Sequence, residues 1–161
     1  MNAISPHQTW NEGQLLGTSG WLKIDQNRID GFGHLTDDIE PLHNDPDWCR
    51  DNSPFGKTIA HGFLTLSMLT RFISEITLNA LVGTTEGRGF PLNYGFDKIR
   101  FIAPVSVGSR IRCLATLCSR STHRDGDLLR FDVTIEIDGE EKPALTAEWL
   151  TLWVTDGTIG A

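Results

Sequence analysis

The sequence predicts a single α+β domain in which an antiparallel sheet wraps around one central helix, and three observations lead there. From His61 to about Leu81, apolar residues occupy Phe63, Leu64, Leu66, Leu69, Phe72, Ile73, Ile76 and Ala80, and the only charges are Arg71 and Glu75. A helix that is apolar or small nearly all round is a buried helix. Leu129, Phe131, Val133, Ile135 and Ile137 alternate with Arg130, Asp132, Thr134 and Glu136, the period of a strand with one buried face. Helical patterns fill the first half of the chain and strand patterns the second, which is the order of an α+β domain rather than of repeated βαβ units.

Taken in order, residues 21–25 read as a short strand and 26–35 as a helix with Ile29, Phe32 and Leu35 on one face, weakened by Gly31 and Gly33. Pro41 forbids that helix from running through 38–43 and pushes Glu40 toward extended geometry, so Asp38 and His43 are expected on a short non-helical segment. Asp45-Pro46 reads as an N-cap followed by proline at the first helical position, opening a short helical turn through Arg50. Ser53-Pro54-Phe55-Gly56 is a turn, and the central helix follows. Strands are expected over 94–103, 109–122, 127–138 and 144–155, with Asp125-Gly126 and Asp138-Gly139 at turns between them. The loop 83–89 is expected to shape the depth of any pocket.

Bulk properties exclude several function classes. The net charge is −7 without a run of Lys/Arg, so a basic face that tracks nucleic-acid phosphates is absent, although a few local cations suffice for an anionic small molecule. Cys49, Cys113 and Cys118 form no CxxC pair, which argues against a disulfide framework and a zinc knuckle. Cys113 and Cys118 are expected on opposite faces of one strand. The N-terminus lacks a signal-peptide pattern, and the apolar stretch near 59–82 is interrupted by polar residues, so a reduced cytoplasm and no membrane insertion are expected.

The chemistry concentrates in Asp38-Ile39-Glu40-Pro41-Leu42-His43 and in Pro54-Phe55-Gly56-Lys57-Thr58-Ile59-Ala60-His61-Gly62. A carboxylate and an imidazole close in sequence suit general acid–base work, and a glycine opening a helix suits an oxyanion site made of backbone N–H groups. The bland alternatives are a capping aspartate with a histidine packed beside Pro41, and a glycine required for close helix–sheet packing. His61 reads equally as a site-lining group and as a structural histidine bonded to backbone. A metal reading of His43, Asp45 and His61 is disfavoured for lack of a compact third ligand, so neither a metal nor a separate cofactor is expected.

These two stretches, followed by Asn93-Tyr94-Gly95-Phe96-Asp97-Lys98-Ile99-Arg100-Phe101 and Pro104-Val105, resemble the MaoC-like dehydratases, the (R)-specific enoyl-CoA hydratases, and in particular their NodN-like branch. The resemblance spans about residues 20–155 of a single domain over 1–161. It implies a hotdog fold, a homodimer, and reversible syn addition of water to a trans-2-enoyl thioester carried by CoA or by acyl carrier protein. It makes Asp38 and His43 the catalytic pair and gives the Gly62 N–H to the oxyanion hole. Glu40, Pro54, Phe55, Lys57, Asn93 and Tyr94 are expected near substrate, with Lys57, Arg100 and Arg110 as candidate partners for the CoA phosphates. The chain departs from the family pattern at Glu40, where hydratases carry Asn, and at Asp37, where Gly is usual and a left-handed residue is expected. Two other readings remain: a hotdog thioesterase using a helix carboxylate such as Glu75, and a non-catalytic acyl-thioester-binding subunit.

Overall fold

Aspartate and proline mark where the helices start in the computed structural model, which describes residues 6–80 and 89–154. A 3-10 turn (Pro6–Thr9) leads to β1 (Leu15–Thr18) and β2 (Leu22–Lys23). Asp25 caps α1 (Gln26–Thr36) by accepting from the Arg28 N–H. Two short helices follow, α2 (Pro41–Asn44) and α3 (Pro46–Asn52), each with proline in the first turn. Asp45 caps α3 through a bond from the Trp48 N–H, as the Asp-Pro pair predicts. The long helix α4 (Gly62–Ala80) precedes β3 (Phe90–Phe101), β4 (Arg110–His123), β5 (Gly126–Ile137) and β6 (Leu145–Val154). Leu81, residue 155 and loop residues 83–88 lie outside the described residues.

The six strands form one antiparallel sheet in the order β1-β4-β5-β6-β3, with β2 also pairing with β4. The strand alternation is realised: Leu129, Phe131, Val133, Ile135 and Ile137 are buried, as are Ile111, Cys113, Ala115 and Leu117 on the neighbouring strand. Cys118 faces the other way and is half-buried, in keeping with the expected split of the two cysteines. Leu64, Leu69, Phe72 and Ile76 of α4 pack into this surface. Each such side chain contributes about 1.5–3 kcal/mol when removed from water.

Two elements depart from the sequence reading. The segment holding His43 is not wholly extended: Pro41–Asn44 make a single helical turn, since proline is tolerated at the first helical position even though it ends the helix before it. The central helix is also not covered all round. Phe63 is 69% exposed, and Ser67, Thr70, Arg71 and Ser74 on the same face are exposed too, because a curled sheet reaches only part of the helix.

Candidate active site

The site is built where the end of α1, the α2 turn and the start of α4 converge. Helix α1 stops because Asp37 adopts the left-handed conformation, with φ of 57°, and its N–H returns to the Gly33 carbonyl. The Asp38 N–H also reaches that carbonyl, at 3.0 Å. Gly33 has to be glycine, since a Cβ there would lie 2.8 Å from the Asp38 carbonyl oxygen and 2.9 Å from Asn44 Oδ1. The chain can therefore fold tightly back on α1 and present the Asp38 side chain outward.

His43 sits on the α2 turn, which a buried thiol supports. Cys49 Sγ lies 3.4 Å from both the Pro41 and Leu42 carbonyl oxygens. Burial, with Asp45 nearby, pushes the Cys49 thiol above its ordinary value and keeps it in the S–H form that donates. The strip 58–60 lies beside 105–107, through Ala60 N–H to Val105 O at 2.8 Å and Val107 N–H to Thr58 O at 2.9 Å, and feeds directly into α4.

Hydrogen bonding defines both imidazoles. His43 Nδ1 stands 2.7 Å from the Ile59 carbonyl oxygen, so Nδ1 donates, and the tautomer this bond selects has its lone pair at Nε2. His61 Nε2 donates to the Asp38 main-chain carbonyl at 2.8 Å and stands 3.9 Å from the Asp38 carboxylate. The two rings lie face to face at a tilt of 31° with centroids 3.9 Å apart, and the Phe32 ring centroid lies 5.1 Å from that of His61. His61 is only 2% exposed. It is thus a strut that ties the start of α4 to the Asp38 backbone, the structural one of the two roles the sequence left open. Asp38, His43 and His61 bring donor atoms within 4.8 Å of one another. The trio corrects the sequence reading that a compact third ligand is lacking, because the fold brings His61 back to Asp38 from 23 residues away. His61 Nε2 is engaged by the Asp38 carbonyl, while its Nδ1 is buried with no hydrogen-bond partner among the described residues.

A cavity of about 280 Å³ opens beside His43, lined also by Ile59, Gly62, Thr65, Phe101 and Pro104. The first N–H groups of α4 have no partner inside the helix and carry the positive end of its dipole, so this cavity offers a base and an anion-stabilising helix start together. Phe101 covers Gly62 so closely that a Cβ there would meet the ring at 3.1 Å.

The other expected substrate contacts are dispersed. Glu40 precedes the α2 turn, exposed and with no side-chain capping bond. Pro54, Phe55 and Lys57 are exposed on the loop after α3 and do not line the His43 cavity. Asn93 lines a second cavity of about 400 Å³ among Trp10, Ile73, Thr77, Phe131 and Trp149. Tyr94 packs edge-on to His123, 5.5 Å between centroids. Arg110 is bound to Asp138, whereas Arg100 is exposed and donates to its own Ile99 carbonyl. Sequence reasoning missed Phe101, although it stands inside a motif already singled out. It also missed Gln26, which looks like any surface helix residue.

The molecule is similar to characterised proteins over most of its length. A family model described as MaoC like domain matches residues 8–135. Nodulation protein N of Rhizobium leguminosarum bv. viciae is 43% identical over 142 residues, covering 87% of this chain and 84% of that protein. The 3-hydroxyacyl-thioester dehydratase Z of Mycobacterium tuberculosis is 37% identical over 143 residues, 88% of this chain and 90% of that protein. Among solved structures, the (R)-hydratase of A. caviae involved in PHA biosynthesis superposes with a TM-score of 0.71 at 21% identity, covering 90% of this chain and 98% of its own. The structure described as the monoamine oxidase regulatory protein of Archaeoglobus superposes with a TM-score of 0.74, also at 21% identity, covering 96% and 99%. At these identities the superpositions establish the hotdog fold.

Proposed function

This chain belongs to the MaoC-like domain family, and we propose that it is an (R)-specific enoyl-thioester hydratase that runs in reverse as a 3-hydroxyacyl-thioester dehydratase. The observation that carries this is one cavity bounded by the His43 imidazole, with its Nδ1 proton engaged by Ile59, and by the Gly62 start of α4. Asp38 does not line that cavity, but its carboxylate lies within 4.8 Å of a His43 ring nitrogen, on a backbone fixed by Gly33 and His61. Asp38 and His43 Nε2 together hold a water. As its oxygen bonds to C3 of the enoyl group, the water gives up a proton, and C2 gains one. The negative charge that develops on the thioester oxygen meets the helix N–H groups. CoA or acyl carrier protein is part of the substrate, and the reaction requires no further cofactor.

A thioesterase would need a carboxylate from the helix. Glu75 is occupied elsewhere: its Oε1 accepts from the Gly20 N–H at 2.6 Å. We expect a homodimer, with the edge strand β3 and its exposed Phe90, Leu92 and Tyr94 covered by a second copy. Sedimentation that shows monomer alone at micromolar concentration would remove that expectation.

The decisive assay mixes the protein with trans-2-enoyl-CoAs of increasing length and follows loss of the conjugated thioester and the configuration of the product. Formation of (R)-3-hydroxyacyl-CoA, reduced about 10²–10⁴-fold in each of Asp38→Asn and His43→Gln, is the expected result. Turnover untouched in both variants overturns the assignment. Free thiol released from saturated acyl-CoA would reveal a thioesterase, and binding without any turnover a silent acyl-thioester-binding subunit.

A further inference from the structure

Gln26, the first residue of α1, commits its whole amide group to the two strips of chain that hold His43. Its Nε2 donates to the His43 main-chain carbonyl at 2.8 Å and to Asp30 Oδ1 at 2.8 Å. Its Oε1 accepts from the Thr58 hydroxyl at 2.5 Å. The orientation follows from the partners, because a flipped amide would set its oxygen against a carbonyl and a carboxylate. Thr58 is fully buried and immediately precedes Ile59, whose carbonyl takes the His43 Nδ1 proton. Asp30 is shared with Asn44, the residue after His43, whose Nδ2 donates to the same oxygen at 2.8 Å. One side chain therefore grips both the backbone that carries the imidazole and the residue next to the imidazole's acceptor. The direct backbone link between the strips, Ile59 N–H to Leu42 O, is a long 3.2 Å.

We propose that Gln26 is a positioning residue for His43, fixing the α2 turn against the strip 58–60 so that Nε2 faces the cavity. This rests on the catalytic reading of His43 given above. A side chain that sets the separation of these strips sets the direction of the ring, and a displacement of about 1 Å is enough to cost about 10²-fold in rate. The side chains of Thr58 and Asp30 act in the same network, with Gln26 at its centre.

The test is a double-mutant cycle on turnover of a trans-2-enoyl-CoA. Gln26→Leu keeps the bulk of the side chain and is expected to lower kcat by about 10- to 100-fold while KM stays within about threefold, since the lost interaction serves the transition state. In a His43→Gln background the same substitution is expected to remove nothing further, because its effect passes through the imidazole. A loss of equal factor in both backgrounds, a loss in KM alone, or no loss overturns the proposal. Should Gln26→Leu fail to fold, Thr58→Val takes its place in the cycle. It deletes one bond to Gln26, and a loss of about three- to tenfold that vanishes without His43 is expected. If His43→Gln itself keeps full turnover, the premise falls first and the role of Gln26 falls with it, an outcome that single-variant data distinguish at once.

Discussion

Replacing Gly62 by alanine separates two reasons for a glycine at the start of α4. The added methyl would stand 3.1–3.3 Å from three ring carbons of Phe101, inside the usual contact distance of about 3.5–4.0 Å, so the ring must retreat by a few tenths of an ångström. Phe101 is 50% exposed and has room to do so. Against that small strain, alanine restricts the unfolded chain and returns about 0.4–1 kcal/mol where the native backbone accepts it. The two effects nearly cancel, and the melting temperature is expected to move by no more than about 2–4 °C, the shift that about 1 kcal/mol produces in a domain of this size. Activity responds differently. The methyl lies on the wall of the His43 cavity, across the approach of a thioester carbonyl to the helix N–H groups. Loss of one such donor costs about 10²–10³-fold, and a kcat/KM reduction of that order in enoyl-CoA hydration is expected. Adding Phe101→Leu relieves the steric contact without clearing the carbonyl's path, so the double variant should stay inactive. Recovery of activity in the double variant, or full activity in Gly62→Ala, would refute the reasoning. Collapse of the melting temperature would instead make Gly62 a packing residue.

Two further outcomes are expected. Glu75→Gln should leave hydration kinetics unchanged and lower stability by about 1 kcal/mol or less, the difference between a charge-assisted and a neutral bond to the Gly20 N–H, which thermal melts would register. A collapse of turnover would restore Glu75 to the chemistry. His7 is fully buried with Nε2 2.8 Å from Asp127, and burial lowers its proton affinity more than the carboxylate raises it. The folded protein therefore holds His7 neutral to a lower pH than the unfolded chain, whose histidine titrates near 6.5. The stability from this group is complete above that value and is lost as pH falls through the lowered one. Melting curves between pH 7.5 and 5 should fall more steeply for the wild type than for His7→Gln, and parallel curves would count against the linkage.

How far the sequence revealed the molecule depended on the range of the interactions involved. The long strands and α4 are legible because burial imposes a period on the residues themselves, and Asp45-Pro46 announces a helix start through local chemistry. β2 falls inside the short strand expected over 21–25, whereas β1 escaped because four residues cannot display a period and Gly17 interrupts them. The start of β3 at Phe90 was hidden by Pro91, which a strand accepts only where its missing N–H faces an unpaired edge, as here. In the site, Asp38, His43 and Gly62 stand in recognisable short motifs. The tilt of the His43 ring, the seating of Phe101 on Gly62 and the grip of Gln26 join segments 16 to 39 residues apart, and no local pattern encodes them.

The fixed main chain around Asp38 also bears on how this region can vary. Its N–H is tied to Gly33 and its carbonyl to His61, while the neighbouring side chains Asp37 and Ile39 point to solvent. Position 39 is thereby released from any duty to the site and can drift freely among polar and apolar types. Position 37 answers only to backbone conformation, so glycine, asparagine and aspartate are interchangeable there at modest strain. An aspartate at this left-handed position, in place of glycine, is on this architecture a change of spelling that leaves the placement of the neighbouring carboxylate intact.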